Sequence, residues 1–163
     1  MEVILMRHGR AAERAAFVGR DEERPLTAEG IKRLRQALPG LVDVVPRLDR
    51  VVTSPLLRAR QTAEVVAESY SVPLTELAAL APGGGPPATT HWLAAQHDKV
   101  LLLVGHEPDL GRLASWYLTG SDESFVPLKK GAICAIRFMG KPAAARGELR
   151  LLLTSRQLRR IAG

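Results

Sequence analysis

At 163 residues, with 46% apolar and 25% charged side chains, the chain has the length of one domain over residues 1–163, and no region is apolar or polar enough to suggest a membrane span or disorder. Lysine and arginine exceed aspartate and glutamate by 23 − 17 = 6, which favours anionic ligands, while 4% aromatics leave no basic, aromatic-interleaved stripe for stacking on nucleic acid; neither a nucleic-acid nor a membrane partner is expected. Cys134 is the only cysteine, so no internal disulfide forms, and the apolar part of MEVILMRHGR is too short for a secretory h-region; both point to a cytoplasmic protein.

Glu2 to Met6 is a compact apolar run that reads as a buried strand and stops at Arg7-His8-Gly9. Thr27 is placed to cap a helix over AEGIKRLRQAL, in which Ile31, Leu34 and Leu38 recur at helical spacing, and Pro39-Gly40 is expected to end it. Arg50 to Thr53 reads as a second strand, halted by Ser54-Pro55 and followed by a helix with Ala59, Ala63, Val66 and Tyr70 on one face. Val72 to Pro87 reads as a connector ending in PGGGPP, and ATTHWLAAQH as a short helix.

Val100 to Val104 is the most strand-like run; it stops at Gly105-His106, and Pro108 opens a helix that Gly120 is placed to end. Ala132 to Phe138 and Glu148 to Thr154 read as two further strands, with SRQLRRIAG as a terminal helix or tail. Alternating strands and helices predict an α/β fold, a three-layer α/β/α sandwich with a mostly parallel sheet. In such sheets ligands bind beyond the carboxyl ends of the strands. Three strands end there in Arg7-His8-Gly9, in Ser54-Pro55 followed by Arg58, and in Gly105-His106-Glu107, so two histidines and two arginines converge.

That set suits phosphoryl transfer. The charge on the peripheral oxygens calls for fixed cations, and the arginine fork binds two oxygens while staying charged, so Arg7 and Arg58 can stand where other enzymes use a metal. A neutral His8 would attack through one ring nitrogen while the other keeps its proton on a carbonyl, giving a phosphohistidine. His106 would donate to the transferred group, Gly9 would let the backbone approach, and Ser54 would help shape the phosphate pocket.

The segments MRHG, SPLLRARQT and VGHEPDL, in that order, resemble the histidine phosphatase (phosphoglycerate mutase-like) superfamily. The short length, Arg24-Pro25-Leu26-Thr27 and LKKGAICAIRF are similar to its SixA-type phosphohistidine phosphatases. The resemblance implies a metal-independent, cofactor-free phosphatase in which His8 is phosphorylated, Arg7, Arg58 and Arg24 bind phosphate, and His106 completes the pocket. Its substrate would be a phosphorylated protein bearing phosphohistidine, or else a small phosphorylated molecule; a non-catalytic phosphate-binding module is the rival of another class. Mutase-like members carry a glutamate after the second helix, but no carboxylate lies between Leu77 and Pro87, which leaves Asp21 ahead of Glu107 as candidate general acid. A weak acid suits an imidazole leaving group better than an alkoxide.

Other signals have plainer readings. His91 and His97 are about 240° apart on a helix, away from a shared metal face, and no metal is expected. PGGGPP lacks the Lys-Ser/Thr of a P-loop and reads as a loop. Cys134 reads as a core thiol, Trp92 and Trp116 as packing residues, and Lys129-Lys130 as a solvated pair at a strand entrance.

Overall fold

The computed structural model describes residues 1–163 and builds them around a six-stranded sheet. The strands are β1 (Glu2–Arg7), β2 (Arg50–Thr53), β3 (Leu74–Glu76), β4 (Val100–Gly105), β5 (Ile133–Arg137) and β6 (Glu148–Leu153). The helices are α1 (Ala28–Val44), α2 (Leu57–Tyr70), α3 (Pro86–Ala94), α4 (Asp109–Thr119) and α5 (Ser155–Ile161). The sheet order is β3-β2-β4-β1-β5-β6, with β1·β4, β2·β4 and β2·β3 parallel and β1·β5 and β5·β6 antiparallel. The expected three-layer, mostly parallel α/β architecture is present.

Alternation along the central strands sorts the core into two faces. Ile4, Met6, Val51, Leu102 and Val104 pack on α1, α2 and α5, whereas Val3, Leu5, Val52, Leu101 and Leu103 pack on α3 and α4. Residues on both faces of β1 and β4 are fully buried, which is why these strands read as continuous apolar runs rather than alternating ones. From β1 the chain crosses to β2 on one side; from β4 it crosses to β5 on the other. The carboxyl ends of β1 and β4 therefore flank a crevice at the point where the chain changes direction.

Two expectations are corrected. Helix α1 does not stop at Pro39-Gly40 but runs on to Val44. Pro39 lies on the exposed side, where water can satisfy the carbonyl that lacks its usual donor, while Gly40 and Leu41 continue the buried stripe of Leu34 and Ala37. Gly40 is a close-approach residue: a Cβ there would lie 2.0 Å from the Leu158 carbonyl oxygen, so its absence lets α5 pack on α1. The connector after α2 is not featureless either, for Leu74–Glu76 adds the short edge strand β3 beside β2. The last two prolines of PGGGPP, Pro86 and Pro87, occupy the first turn of α3, where a missing N–H costs little.

No helix is long and apolar enough to cross a membrane. The terminal segment is a helix, begun by a capping box in which Thr154 accepts from the Gln157 N–H and the Gln157 side chain accepts from the Thr154 N–H.

Candidate active site

The residues that follow β1, β2 and β4 are pinned to one another by the backbone. The His8 N–H donates to the Gly105 carbonyl at 3.1 Å and the Ser54 N–H to the Val104 carbonyl at 3.0 Å, so both are fixed against the end of β4. The Gly131 N–H, just before β5, contacts the Arg7 and His8 carbonyls at 3.0 and 3.2 Å. Four segments distant in sequence thus meet at one edge of the sheet.

His8 and His106 face each other with ring centroids 5.1 Å apart, and both are buried. His8 Nδ1 lies 2.7 Å from the Gly9 carbonyl oxygen, which can only accept; Nδ1 therefore carries the proton, and Nε2 is left with its lone pair. Burial, with Arg58, Arg7 and Arg24 nearby, brings the His8 pKa down to about 4, against the opposing pull of the Gly9 hydrogen bond. Burial, followed by the neighbouring His8 and Arg58, takes His106 down to about 3. Both rings are neutral at physiological pH.

His106 Nε2 is 2.8 Å from Ser54 Oγ, and its Nδ1 is buried without a protein partner. Ser54 is fully buried, so it shapes the site through His106 and through the Leu56 N–H it accepts at 3.3 Å. Arg7 donates through Nη1 to the Leu128 carbonyl at 2.9 Å, and its Nε finds no partner. Arg58, at 4% exposure on the first turn of α2, donates to the Asp21 carbonyl at 2.8 Å and to Asp21 Oδ2 at 2.9 Å, and its Nε is likewise unpartnered. Two buried arginine Nε–H donors and a buried imidazole nitrogen, none with a partner inside the protein, suit an anion with several oxygens.

Asp21 also accepts from Arg24 Nε at 3.0 Å, while Arg24 Nη1 donates to the Ala12 carbonyl at 2.7 Å. Burial works to raise the Asp21 carboxyl, but the hydrogen bond from Arg24 and the charges of Arg58 and Arg24 outweigh it and hold it below the ordinary carboxylate range. Asp21 is thus ionised at neutral pH, the opposite of what a proton donor requires. Its geometry is that of a clamp on Arg58 and Arg24. Burial does raise Glu107, yet its Oε1 accepts the Leu128 N–H at 3.1 Å and so braces the loop whose carbonyl holds Arg7.

Sequence reasoning passed over Thr62. It is fully buried, accepts the Gly9 N–H at 3.0 Å and donates to the Arg58 carbonyl at 2.7 Å, tying the loop after β1 to α2. It lies four residues beyond Arg58, one helical turn away, which is the only signal that could have singled it out. Elsewhere, no group of three His, Cys, Asp or Glu side chains is arranged to hold a metal ion. Burial drives the Cys134 thiol up to about 12, as befits a core residue.

Residues 3–81 match the family model of the histidine phosphatase superfamily, branch 1. The chain is 34% identical over 120 residues to the phosphohistidine phosphatase SixA of Escherichia coli K12, covering 71% of this chain and 73% of that protein. It belongs to the histidine phosphatase superfamily. A protein from Picosynechococcus sp. is 40% identical over 141 residues, covering 84% of this chain and 85% of its own length. The structure of the protein histidine phosphatase SixA complexed with tungstate superposes with a TM-score of 0.83 at 27% identity, covering 97% of this chain and 99% of that one. An Escherichia coli structure described as a putative α-ribazole-5′-P phosphatase shares the fold, with a TM-score of 0.74 at 22% identity over 95% of this chain and 98% of that one. As a SixA-like member of the superfamily, the chain is a phosphatase that needs no metal.

Proposed function

We propose that the protein dephosphorylates phosphohistidine on a protein partner through a covalent intermediate on His8. The observation that supports this is the 2.7 Å contact of His8 Nδ1 with the Gly9 carbonyl, which leaves a neutral ring whose Nε2 lone pair is free to attack a phosphoryl group held by Arg7 and Arg58. In the first step the Nε2 lone pair forms a bond to phosphorus while the bond from phosphorus to the substrate nitrogen breaks, and the departing imidazole takes its proton from solvent. In the second, water attacks the phosphorus of phospho-His8, releasing inorganic phosphate and restoring the ring. Arg7 and Arg58 bind the equatorial oxygens throughout, Arg24 adds positive charge, and His106 Nδ1–H donates to the oxygen that gains charge.

The choice of a nitrogen-bound phosphoryl group rests on the carboxylates. Asp21 is ionised and ion-paired and Glu107 is bound to backbone, so neither stands ready to protonate an alkoxide, whereas an imidazole is a far better leaving group. The likeness to SixA supports the same substrate class. We further take residues 1–163 as one domain acting in the cytoplasm, with no cofactor.

The test is phosphate release in chelator from a phosphohistidyl protein and a phosphoseryl peptide, with the parent enzyme and His8→Ala. Release chiefly from phosphohistidine, lost in the variant, is expected. Release chiefly from the seryl ester would move the substrate to phosphoesters, and release that survives His8→Ala would remove His8 from the chemistry.

A further inference from the structure

Beside the phosphoryl pocket lies a second cavity of about 420 Å³ that the chemistry above does not use. Arg10, Arg33, Lys129, Lys130, Arg156 and Arg159 line it, and Arg7 and Gly9 form the wall it shares with the catalytic pocket. No aspartate or glutamate is among the lining residues. Of these seven cations only Arg33 is ion-paired, to Glu29 at 2.6 Å. The charges come from the loop after β1, from α1, from the turn before β5 and from α5, so they are gathered by the fold rather than by a run of basic sequence. A concavity lined by one sign of charge concentrates potential within it.

Its walls depend on three residues without side chains. A Cβ on Gly30 would lie 2.1 Å from the Arg10 carbonyl oxygen, and Gly40 plays the matching part between α1 and α5. Gly131 turns the chain at φ 72°, a conformation natural to glycine, and sets Lys129 and Lys130 on the rim. The lysine pair that reads in sequence as a solvated feature therefore belongs to a formed pocket.

We propose that this cavity is a binding site for a compact polyanion of the inorganic polyphosphate class, separate from the phosphoryl site at His8. Leu34 is the one hydrophobic residue in the lining and no aromatic is present, so there is no platform for a base or sugar ring and no apolar anchor of the kind that dominates protein interfaces. Affinity must come from charge, and the volume falls in the range of small-molecule sites, with room for a short chain of phosphoryl groups.

The test is calorimetric titration of the full chain with tripolyphosphate, in the presence of saturating orthovanadate to fill the pocket at His8. Because binding is read without turnover, the result is independent of the substrate reading. The expected result is one tripolyphosphate per chain, weakened at least tenfold in Lys130→Ser/Arg156→Ser, with hydrolysis of p-nitrophenyl phosphate by that variant unchanged. Arg35→Ser/Arg146→Ser removes the same charge outside the cavity and should alter the Kd less than twofold. The assignment is overturned by no binding to the vanadate-loaded parent, by equal weakening in both double variants, or by tighter binding of an oligoglutamate peptide of matched charge.

Discussion

Ser54→Ala removes a single hydroxyl, yet the structure gives that hydroxyl a specific task. Ser54 Oγ accepts the Leu56 N–H, and the acceptor within reach of its own proton is His106 Nε2 at 2.8 Å; that assignment puts the ring proton on Nδ1, the nitrogen without a protein partner. Without the hydroxyl, either nitrogen can hold the proton, and one buried acceptor is left unpaired. A neutral hydrogen bond contributes about 1 kcal/mol net, and an unpaired buried group costs about 1–3 kcal/mol. If about 1–2 kcal/mol of this falls on the transition state, kcat drops roughly 5- to 30-fold. His106→Ala removes the donor altogether and should cost about 10²–10³-fold.

The assay is steady-state kinetics on a phosphohistidyl protein for Ser54→Ala, His106→Ala and the double variant. Since Ser54 acts through His106, the double variant should match His106→Ala alone. Nitrogen-15 NMR of the parent should show His106 as the Nδ1–H tautomer and a mixture in Ser54→Ala. Independent, multiplying effects of the two substitutions, or parental kcat in Ser54→Ala, would refute the reasoning.

Three further outcomes follow from the same geometry. The folded pKa values of His8 and His106, about 4 and about 3, lie below the ordinary 6.5, so the unfolded chain binds protons that the folded one refuses; stability is full above pH 6.5 and falls as pH drops toward those values. At pH 5 the loss is about 2 kcal/mol per histidine, and urea midpoints at pH 7.5 and 5.0 should differ less in His106→Asn than in the parent. Asp21→Asn should weaken the hold on Arg58 and Arg24, lowering kcat/KM roughly tenfold on phosphohistidine and p-nitrophenyl phosphate alike; a loss confined to the ester would make Asp21 a general acid. Gly40→Ala places a methyl against the Leu158 carbonyl and should lower stability by about 1–3 kcal/mol in urea titration.

The strands of the sheet centre were legible because burial on both faces leaves an apolar run that needs no context, as in VILM and VLLLV. Their ends were legible too, since the residues that meet at the candidate site sit where such runs stop. What sequence could not supply was tertiary preference. Pro39 looks like a helix stop until α5 packs against Gly40, and Leu74–Glu76 becomes a strand only because β2 offers an edge. The state of Asp21 was equally hidden: its neighbour Arg24 is visible in sequence, but Arg58, which lies 2.9 Å away, is 37 residues distant. Thr62 shows the same limit, because its work is done through a partner 53 residues away; Ser54 was legible as a pocket residue, but not its contact with His106, 52 residues distant.

The central claim, covalent catalysis at His8 Nε2, is tested most directly by trapping the phosphoenzyme. The parent and His8→Ala are mixed with phosphoramidate, quenched in alkali within milliseconds and examined by phosphorus-31 NMR and peptide mapping. Phosphate that is acid-labile, located on the Nε2 nitrogen of His8 and absent from the variant, is the predicted result. Phosphate on Nδ1, on another residue, or in an acid-stable linkage would contradict the account.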